Sequence, residues 1–163
     1  MSARVIMVAS GKGGTGKSTV SVLTGAALAA RGRRVLLVEL DSALRSVDYI
    51  AGVYGKTVYD VEDVLCGRCD AGKALVESPL YPGLFVISAP YSGGQVAAGA
   101  LQSFLQQAGG VFDDIVLDTA AGMGAPFEAA RAAASLALIC ITPDPVAQRD
   151  GRIVCDRSEE HTS

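Results

Sequence analysis

The sequence predicts an α/β fold with three layers, in which helices cover both faces of a mainly parallel sheet. Several short runs are apolar throughout, which is typical of strands that are buried on both faces. Stretches with helical periodicity separate these runs. The chain has 163 residues, of which 50% are hydrophobic and 19% are charged. This length and composition suit one domain with a sizeable core.

Each predicted element follows from its own local pattern. Apolar runs predict five strands, over residues 4–9, 35–39, 84–87, 115–118 and 136–142. Helical patterns predict six helices, over residues 18–30, 61–65, 72–76, 95–107, 126–134 and 145–155. Gly32 is a suitable stop after the first helix, and Pro143 ends the fifth strand. Ligands of such sheets bind beyond the carboxyl ends of the strands, where polar residues follow strands one, two and four.

The charge and apolar patterns argue against several classes of function. The net charge of −3 lacks the basic excess of nucleic-acid-binding proteins, so no nucleic acid is expected as a partner. The sequence has no run of about 18 apolar residues that would predict a membrane span. The first apolar run is cut short at Ser10, so we predict no signal peptide. Four cysteines without a secretion signal indicate a reducing cytoplasm.

The last seven residues, numbers 157–163, differ from the rest of the chain. They lack an apolar period, and they match the in-frame translation of a widely used sequencing adapter. We therefore expect one native domain over residues 3–156, which stops near Asp156 and is followed by a non-native tail. An ordinary polar tail is the alternative. For this reason His161, the single histidine, is given no catalytic role.

A glycine-rich segment follows the first predicted strand and precedes the first predicted helix. It matches the G-x-x-x-x-G-K-[ST] pattern of a phosphate-binding loop, with the residues Gly11, Lys12, Gly13, Gly14, Thr15, Gly16, Lys17 and Ser18. Glycines let backbone N–H groups turn inward around phosphate oxygens, and the start of the helix adds its positive end. We predict that Lys17 binds the β- and γ-phosphates of a nucleotide. The Ser18 hydroxyl is predicted to bind Mg²⁺, and Thr19 to contact the α-phosphate.

Lys12 makes this pattern more specific. The form K-G-G-x-G-K-[ST]-[ST] resembles the deviant Walker A loop of the MinD/ParA family of ATPases. In that family the early lysine reaches across a dimer interface to the nucleotide of the partner. The resemblance therefore implies that Lys12 brings a positive charge to the phosphoryl group that is transferred in the other subunit. A solvated surface lysine is the alternative.

The segment after the second strand extends the resemblance. Residues 39–48 are similar to the D-x-D-x-G-L-R-N-L-D segment of the family members that place the bacterial division site. The resemblance implies that Asp41 orients the attacking water and contributes to the Mg²⁺ site. Alternatively, Asp41 caps the following turn. The chain departs from the family at Glu39, which is usually Asp, and at Ala43, which is usually Gly. Both changes bear on the rate of hydrolysis.

The fourth predicted strand ends in Walker B form, as an apolar run followed by Asp118. After a phosphate-binding loop, this pattern predicts that Asp118 holds Mg²⁺ through a water molecule. Gly122 is predicted to let the next segment approach the γ-phosphate. Lys12, Lys17, Asp41 and Asp118 are all expected at one edge of the sheet.

The resemblance covers residues 3–156 and implies the remaining properties. It implies a P-loop NTPase fold with strand order 3-2-4-1-5, counted over the five predicted strands and incomplete at the C-terminus. It implies an enzyme that binds and hydrolyses ATP with Mg²⁺ and forms a homodimer in its ATP state. Division-site placement, with protein regulators, is the implied process. The implied location is the cytoplasm and the inner face of the cytoplasmic membrane, reached through a C-terminal amphipathic helix that this sequence lacks.

Other functions stay open. Cys66 and Cys69 form a C-x-x-C pair, which suggests an iron–sulfur carrier of the related Mrp family, with two thiolates from each chain of a dimer. In that family the pair normally lies later in the chain, so chance cysteines are the simpler interpretation. A ParA-type DNA-partitioning ATPase is disfavoured by the net charge of −3. An ATPase that positions flagella or pili is a further alternative.

Overall fold

The computed structural model describes residues 3–91 and 96–159. Three predicted features extend outside this range. Gln95, the predicted first residue of the fourth helix, lies outside the described residues, and so do His161 and the rest of the tail after residue 159.

Six strands form one sheet. They are β1 (Arg4–Ala9), β2 (Val35–Glu39), β3 (Val76–Glu77), β4 (Leu84–Ile87), β5 (Asp114–Asp118) and β6 (Leu136–Ile139). Their order is β3-β4-β2-β5-β1-β6. All pairs are parallel except β3 with β4, which is antiparallel. The order differs from the predicted one by the added edge strand β3, which is too short to give a sequence pattern. The last predicted strand, over residues 136–142, ends earlier, at Ile139.

Seven helices are described: α1 (Lys17–Ala29), α2 (Ser46–Ile50), α3 (Val61–Leu65), α4 (Ala71–Ala74), α5 (Ala98–Ala108), α6 (Ala125–Ala133) and α7 (Pro145–Glu159). The helix predicted over residues 72–76 is wrong at its end, because Val76 belongs to β3. The five-residue α2 was not predicted; its N-cap, Arg45, is not one of the residue types that mark a helix start in the sequence. The last helix is longer than predicted and includes residues 157–159 of the expected tail.

The core lies on both faces of the sheet, because side chains of successive strand residues point to opposite sides. Met7, Leu36 and Leu117 face a cluster completed by α5 and α6, whereas Val8 and Leu37 face a cluster completed by α1 and α2. Most residues of the central strands are fully buried, as the uniformly apolar runs predict. Within the described residues, no helix is long and apolar enough to cross a membrane.

The register of the sheet brings the ends of three strands together. Asp118 at the end of β5 pairs with Val8 of β1 on one side and with Glu39 of β2 on the other. The segments that follow β1, β2 and β5 therefore leave the sheet at the same edge. These segments carry the glycine loop, Asp41 and Gly122, so the fold gathers the predicted site residues that the chain separates.

Candidate functional site

The glycine loop turns from β1 into α1 through two left-handed residues. Gly14 has φ 75° and Gly16 has φ 83°, and Gly16 is the N-cap of α1. Residues with a side chain rarely adopt this backbone conformation, so these two positions require glycine. The first N–H groups of a helix have no partner within the helix, so the end of α1 that follows the loop is suited to bind an anion.

The concave side of the loop has room for a ligand. A Cβ atom added at Gly13, Gly14 or Gly16 would meet no heavy atom within 4 Å. The loop borders a cavity of about 520 Å³, which Ala43, Leu44 and Ala121 also line. Within the loop, the Thr15 hydroxyl oxygen is buried and has no hydrogen-bond partner. A buried hydroxyl of this kind normally has a partner, and an anion in the loop would supply one.

Lys17 lies at the floor of this cavity and is 7% exposed. Its Nζ lies 3.5 Å from Asp118 Oδ1 and 3.9 Å from Asp41 Oδ2. Asp118 is fully buried and also accepts hydrogen bonds from the hydroxyls of Ser18 and Ser21, both at 2.7 Å. A buried carboxylate is stable here because three donors surround it.

Ser21 is a site residue that the sequence reasoning missed. It lies four residues after Lys17 on α1, so both face the sheet. Its hydroxyl donates to Asp118 Oδ1 at 2.7 Å and lies 3.0 Å from the Lys17 carbonyl oxygen, the alternative acceptor for the same proton. A polar residue on the buried face of α1 was the available signal.

Asp41 lies beside Lys17, as predicted, and forms a local turn as well. Its Oδ1 accepts the backbone N–H of Ala43 at 3.1 Å, while its Oδ2 faces Lys17. The side chain is 15% exposed and borders the cavity. The two interpretations of Asp41 are therefore compatible, because one oxygen caps the turn and the other faces the lysine.

Glu39 precedes Asp41 by two residues and is fully buried at the end of β2. Its carboxyl oxygens accept backbone N–H groups of Val47 at 3.1 Å and Ala89 at 3.4 Å. Burial raises the pKa of Glu39 to about 8, and the nearby carboxylates of Asp48 and Asp118 add to the increase, against the lowering effect of the two N–H groups. The residue that departs from the family pattern thus binds the backbone of the next segment.

Lys12 does not line the cavity described here. Its Nζ lies 3.8 Å from Asp144 Oδ1, just before α7, and its side chain is 50% exposed. The Thr142 hydroxyl, the Ala147 backbone N–H and Lys12 hold the pKa of Asp144 below its usual range. Gly11 also packs against α7, since a Cβ there would lie 2.8 Å from the Asp150 carbonyl oxygen. Thus the first part of the loop contacts α7, and the second part surrounds the cavity.

Two further predicted residues have clear positions. Thr19 lines the cavity at the start of α1. Gly122 has φ 88°, and its N–H donates to the Ser10 carbonyl oxygen at 2.9 Å. This bond ties the segment after β5 to the start of the glycine loop, although Gly122 itself does not line the cavity.

The cysteine pair lies on another part of the molecule. Cys66 is the C-cap of α3 and is exposed, and Cys69 is half-buried. Burial and the nearby Asp63 carboxylate raise the pKa of the Cys69 thiol. A thiol with a raised pKa is less ready to become the thiolate that iron–sulfur ligation requires.

A glycine loop between a strand and a helix, with a buried lysine at its end and a carboxylate on the neighbouring strand, defines a P-loop nucleotide-binding domain. Residues 6–141 match the family described as the CobQ/CobB/MinD/ParA nucleotide binding domain. The chain belongs to this family.

Individual relatives agree with this assignment. The septum site-determining protein MinD of Synechocystis sp. is 40% identical over 149 residues, which are 90% of this chain and 56% of that protein. The MinC:MinD cell division protein complex of Aquifex aeolicus superposes with a TM-score of 0.86 at 34% identity, over 96% of this chain and 64% of that chain. The cobyrinic acid a,c-diamide synthase of Mycobacterium smegmatis, with bound ATP analog and magnesium, gives a TM-score of 0.80 at 27% identity, over 97% of this chain and 69% of that chain. The chain thus spans little more than half the length of the MinD protein that it matches.

Proposed function

We propose that this chain is the nucleotide-binding part of a MinD-like ATPase, which binds ATP with Mg²⁺ and hydrolyses it. The observation that carries the proposal is the position of Lys17, which is buried beside Asp118 and Asp41 at the floor of a glycine-lined cavity. A buried ammonium at the start of a helix attracts anions, and a nucleotide phosphate chain fits this position.

The described residues fit a nucleotide phosphate chain. The N–H groups of residues 13–17 and the Lys17 ammonium would bind phosphate oxygens. The unpartnered Thr15 hydroxyl supports this assignment, since a phosphate oxygen would give it the partner that it lacks. Thr19, one residue after Ser18 in the first turn of α1, is assigned to the α-phosphate.

The donors around Asp118 fit Mg²⁺, which prefers hard oxygen ligands and takes one or two carboxylates together with substrate phosphates. Ser18, Asp118 and Asp41 would hold the ion, directly or through water. When bound, the ion neutralises charge that develops on the phosphate oxygens. The similarity to the synthase of M. smegmatis with bound ATP analog and magnesium supports this assignment.

Two residues are proposed to act in hydrolysis. Asp41 would accept a hydrogen bond from the attacking water and orient it toward the γ-phosphate. Lys12 would leave Asp144 and reach the nucleotide of a second subunit, where its charge stabilises the transferred phosphoryl group. Gly122 would allow the segment after β5 to approach the γ-phosphate when ATP is bound. The half-exposed Lys12 side chain supports its part in this proposal, because a weak surface ion pair is easily exchanged.

The cellular part of the proposal rests on the relatives. We propose a homodimer in the ATP state, protein regulators of division-site selection, and a cytoplasmic protein that binds the inner face of the membrane through a helix beyond this sequence. The similarity to MinD proteins, one of them solved in complex with MinC, supports this process. We propose no nucleic-acid partner.

The first test of this function is the substitution Lys17→Ala in the full-length protein. ATP affinity should fall by about 10- to 100-fold or more, because hydrogen bonds to charged groups contribute about 1.5–3 kcal/mol. Calorimetric titration with Mg-ATP measures the affinity, and thermal melting checks the fold. Lys73→Ala, at an exposed lysine on α4, is the matched control. Unchanged affinity in a folded Lys17→Ala protein would show that the loop does not bind the phosphates.

A further inference from the structure

The segment that carries Asp41 connects β2 to α2, and its residues 41–45 are half-buried or exposed. Leu44, near its centre, is 73% exposed. The position of the Asp41 carboxylate must therefore depend on what holds the segment at its two ends. Two side chains, Glu39 and Arg45, hold these ends.

Glu39 holds the segment from the buried side. One carboxyl oxygen accepts the N–H of Val47 in the first turn of α2, and the other accepts the N–H of Ala89, which follows β4. The side chain thus joins the end of β2, the start of α2 and the end of β4. Both oxygens are used by backbone donors, and Glu39 is fully buried.

Arg45 holds the other end of the same segment, just before α2. Its Nη1 donates to the Ala89 carbonyl oxygen at 2.8 Å, and its Nη2 donates to Asp48 Oδ2 at 2.9 Å. The guanidinium carbon lies 3.5 Å from the centre of the Tyr91 ring. Asp48 is itself held by the Ser88 hydroxyl. The N–H of Ala89 therefore binds Glu39, and its carbonyl oxygen binds Arg45.

The backbone at Arg45 is strained. Its φ is 47°, and among the residues that the structure describes it is the single non-glycine residue with positive φ. Such a conformation costs about 1–3 kcal/mol and persists where the surroundings impose it. The bonds of Arg45 to Ala89 and Asp48 and its contact with Tyr91 are the interactions that impose it here. Strain of this kind next to a reactive segment indicates a functional constraint.

We propose that Glu39 and Arg45 are positioning residues, which clamp the segment around Asp41 to Ala89 and so hold the Asp41 carboxylate beside Lys17. This inference rests on the proposed function, because it assigns Asp41 a part in hydrolysis. It predicts that the clamp affects the rate of hydrolysis through Asp41, with little effect on ATP binding. It also explains why position 39 carries Glu where the family usually has Asp: the Glu39 side chain reaches the backbone N–H groups of both Val47 and Ala89.

The test compares four forms of the full-length protein: wild type, Glu39→Gln, Asp41→Ala and the double variant. The amide nitrogen of Gln cannot accept a hydrogen bond, so Glu39→Gln loses one of the two hydrogen bonds that Glu39 accepts from the backbone. We expect kcat to fall by about 10- to 100-fold, since small displacements of a reacting group have effects of this size. ATP affinity should stay close to that of wild type. Glu77→Gln is the matched control, because Glu77 also binds a backbone N–H but lies on the edge strand β3, which β4 separates from β2.

The double variant distinguishes positioning from a general structural role. If Glu39 acts through Asp41, the double variant should hydrolyse ATP no more slowly than Asp41→Ala. Hydrogen exchange adds a readout that is independent of activity: the amides of residues 41–47 should exchange faster in Glu39→Gln. The inference would be overturned if the kcat losses of the two single variants multiplied in the double variant. It would also be overturned if the amide hydrogen exchange of residues 41–47 were the same in Glu39→Gln and wild type.

If Glu39→Gln does not fold, Arg45→Gln and its double variant with Asp41→Ala make the same comparison from the more exposed side of the clamp. Wild-type protein that binds no ATP would overturn the proposed function, and the clamp with it. Wild-type protein that hydrolyses ATP, with a Glu39→Gln variant of equal kcat, would overturn the clamp alone.

Discussion

At the residue scale, one ammonium group, that of Lys17, lies between two carboxylates that differ in burial and in hydrogen bonding. The Lys17 ammonium faces two carboxylates, one fully buried and one at the cavity surface. The buried partner, Asp118, keeps its two serine donors if Lys17 turns toward a phosphate. The other partner, Asp41, borders the cavity and, within the described residues, has no serine donor of this kind; its Oδ1 accepts the Ala43 N–H. The two carboxylates are therefore suited to different tasks, although both lie near the same lysine.

Asp41→Ala is expected to separate binding from hydrolysis. ATP affinity should remain near the wild-type value, whereas kcat should fall on the order of 10²-fold, because a group that orients water acts mainly in the transition state. Steady-state hydrolysis and equilibrium binding, measured on the same preparation, test this prediction. Asp70→Ala removes an exposed carboxylate before α4 and should change neither quantity. Equal rates for Asp41→Ala and wild type would mean that Asp41 serves as a cap alone.

Glu39 should make folding stability depend on pH. Its pKa is raised from 4.5 to about 8 in the folded chain, so the folded state keeps a proton that the unfolded state has released between these values. The stabilising contribution is therefore complete below the unfolded pKa and is lost as pH rises through the folded pKa. We expect the difference in unfolding free energy between wild type and Glu39→Gln to change by more than about 1.4 kcal/mol between acidic and mildly basic pH. Urea unfolding without metal and nucleotide measures this, and parallel curves for the two proteins would contradict it.

At the element scale, α1 packs tightly against the sheet at Gly25. A Cβ added at Gly25, in the buried face of α1, would lie 2.8 Å from Leu84 Cδ1 of β4. Leu84 is fully buried, so it has little room to move. The short distance between helix and sheet allows the first turn of α1 to reach Asp118 with Ser18 and Ser21. The glycine thus contributes to the site from two turns away.

Gly25→Ala tests this close packing. Alanine favours the helix by about 1 kcal/mol relative to glycine, but overpacking a core costs about 1–3 kcal/mol. We expect overpacking to prevail, with a lower unfolding free energy by urea denaturation. Gly99→Ala is the control, since a Cβ there meets nothing within 4 Å, and α5 should be stabilised or unchanged. If both variants were equally stabilised, α1 or Leu84 would be able to shift and accommodate the added Cβ atom at position 25.

At the scale of the whole molecule, the proposed dimer assigns Lys12 to the nucleotide of the partner. In a mixture of Lys12→Ala and Asp41→Ala proteins, each mixed dimer would then contain one intact site and one site that lacks both groups. Activity should return to up to about half that of a wild-type dimer, in the fraction of dimers that are mixed. ATPase assays on the mixture, compared with the sum of the two separate proteins, measure the effect.

The control for this experiment is dimerisation itself. Light scattering with a non-hydrolysable ATP analogue must show that Lys12→Ala and Asp41→Ala proteins associate. If mixed dimers form and no activity returns, Lys12 serves its own subunit or none.

The sequence by itself determined the sheet, the phosphate loop and the residues at its edge. Uniformly apolar runs of strand length carry a strong local signal, because both faces of those strands are buried. The loop is equally local, since its glycines, Lys17 and Ser18 are consecutive. The two residues of β3 carry too little pattern to be predicted, and α2, a single five-residue turn of helix, was not predicted. The strand predicted over residues 136–142 was too long, since apolar character continues after the hydrogen-bonded pairing with β1 ends at Ile139.

Only the tertiary structure decided how these residues are connected. The Lys12 contact with Asp144 spans more than a hundred residues of chain, and the bonds from Glu39 and Arg45 to Ala89 join segments that no local pattern relates. Such contacts depend on which strands are neighbours and on the turn that each loop takes afterwards. A motif specifies which groups can perform the chemistry, because it follows from consecutive residues. The positions of these groups relative to one another depend on packing between distant parts of the chain.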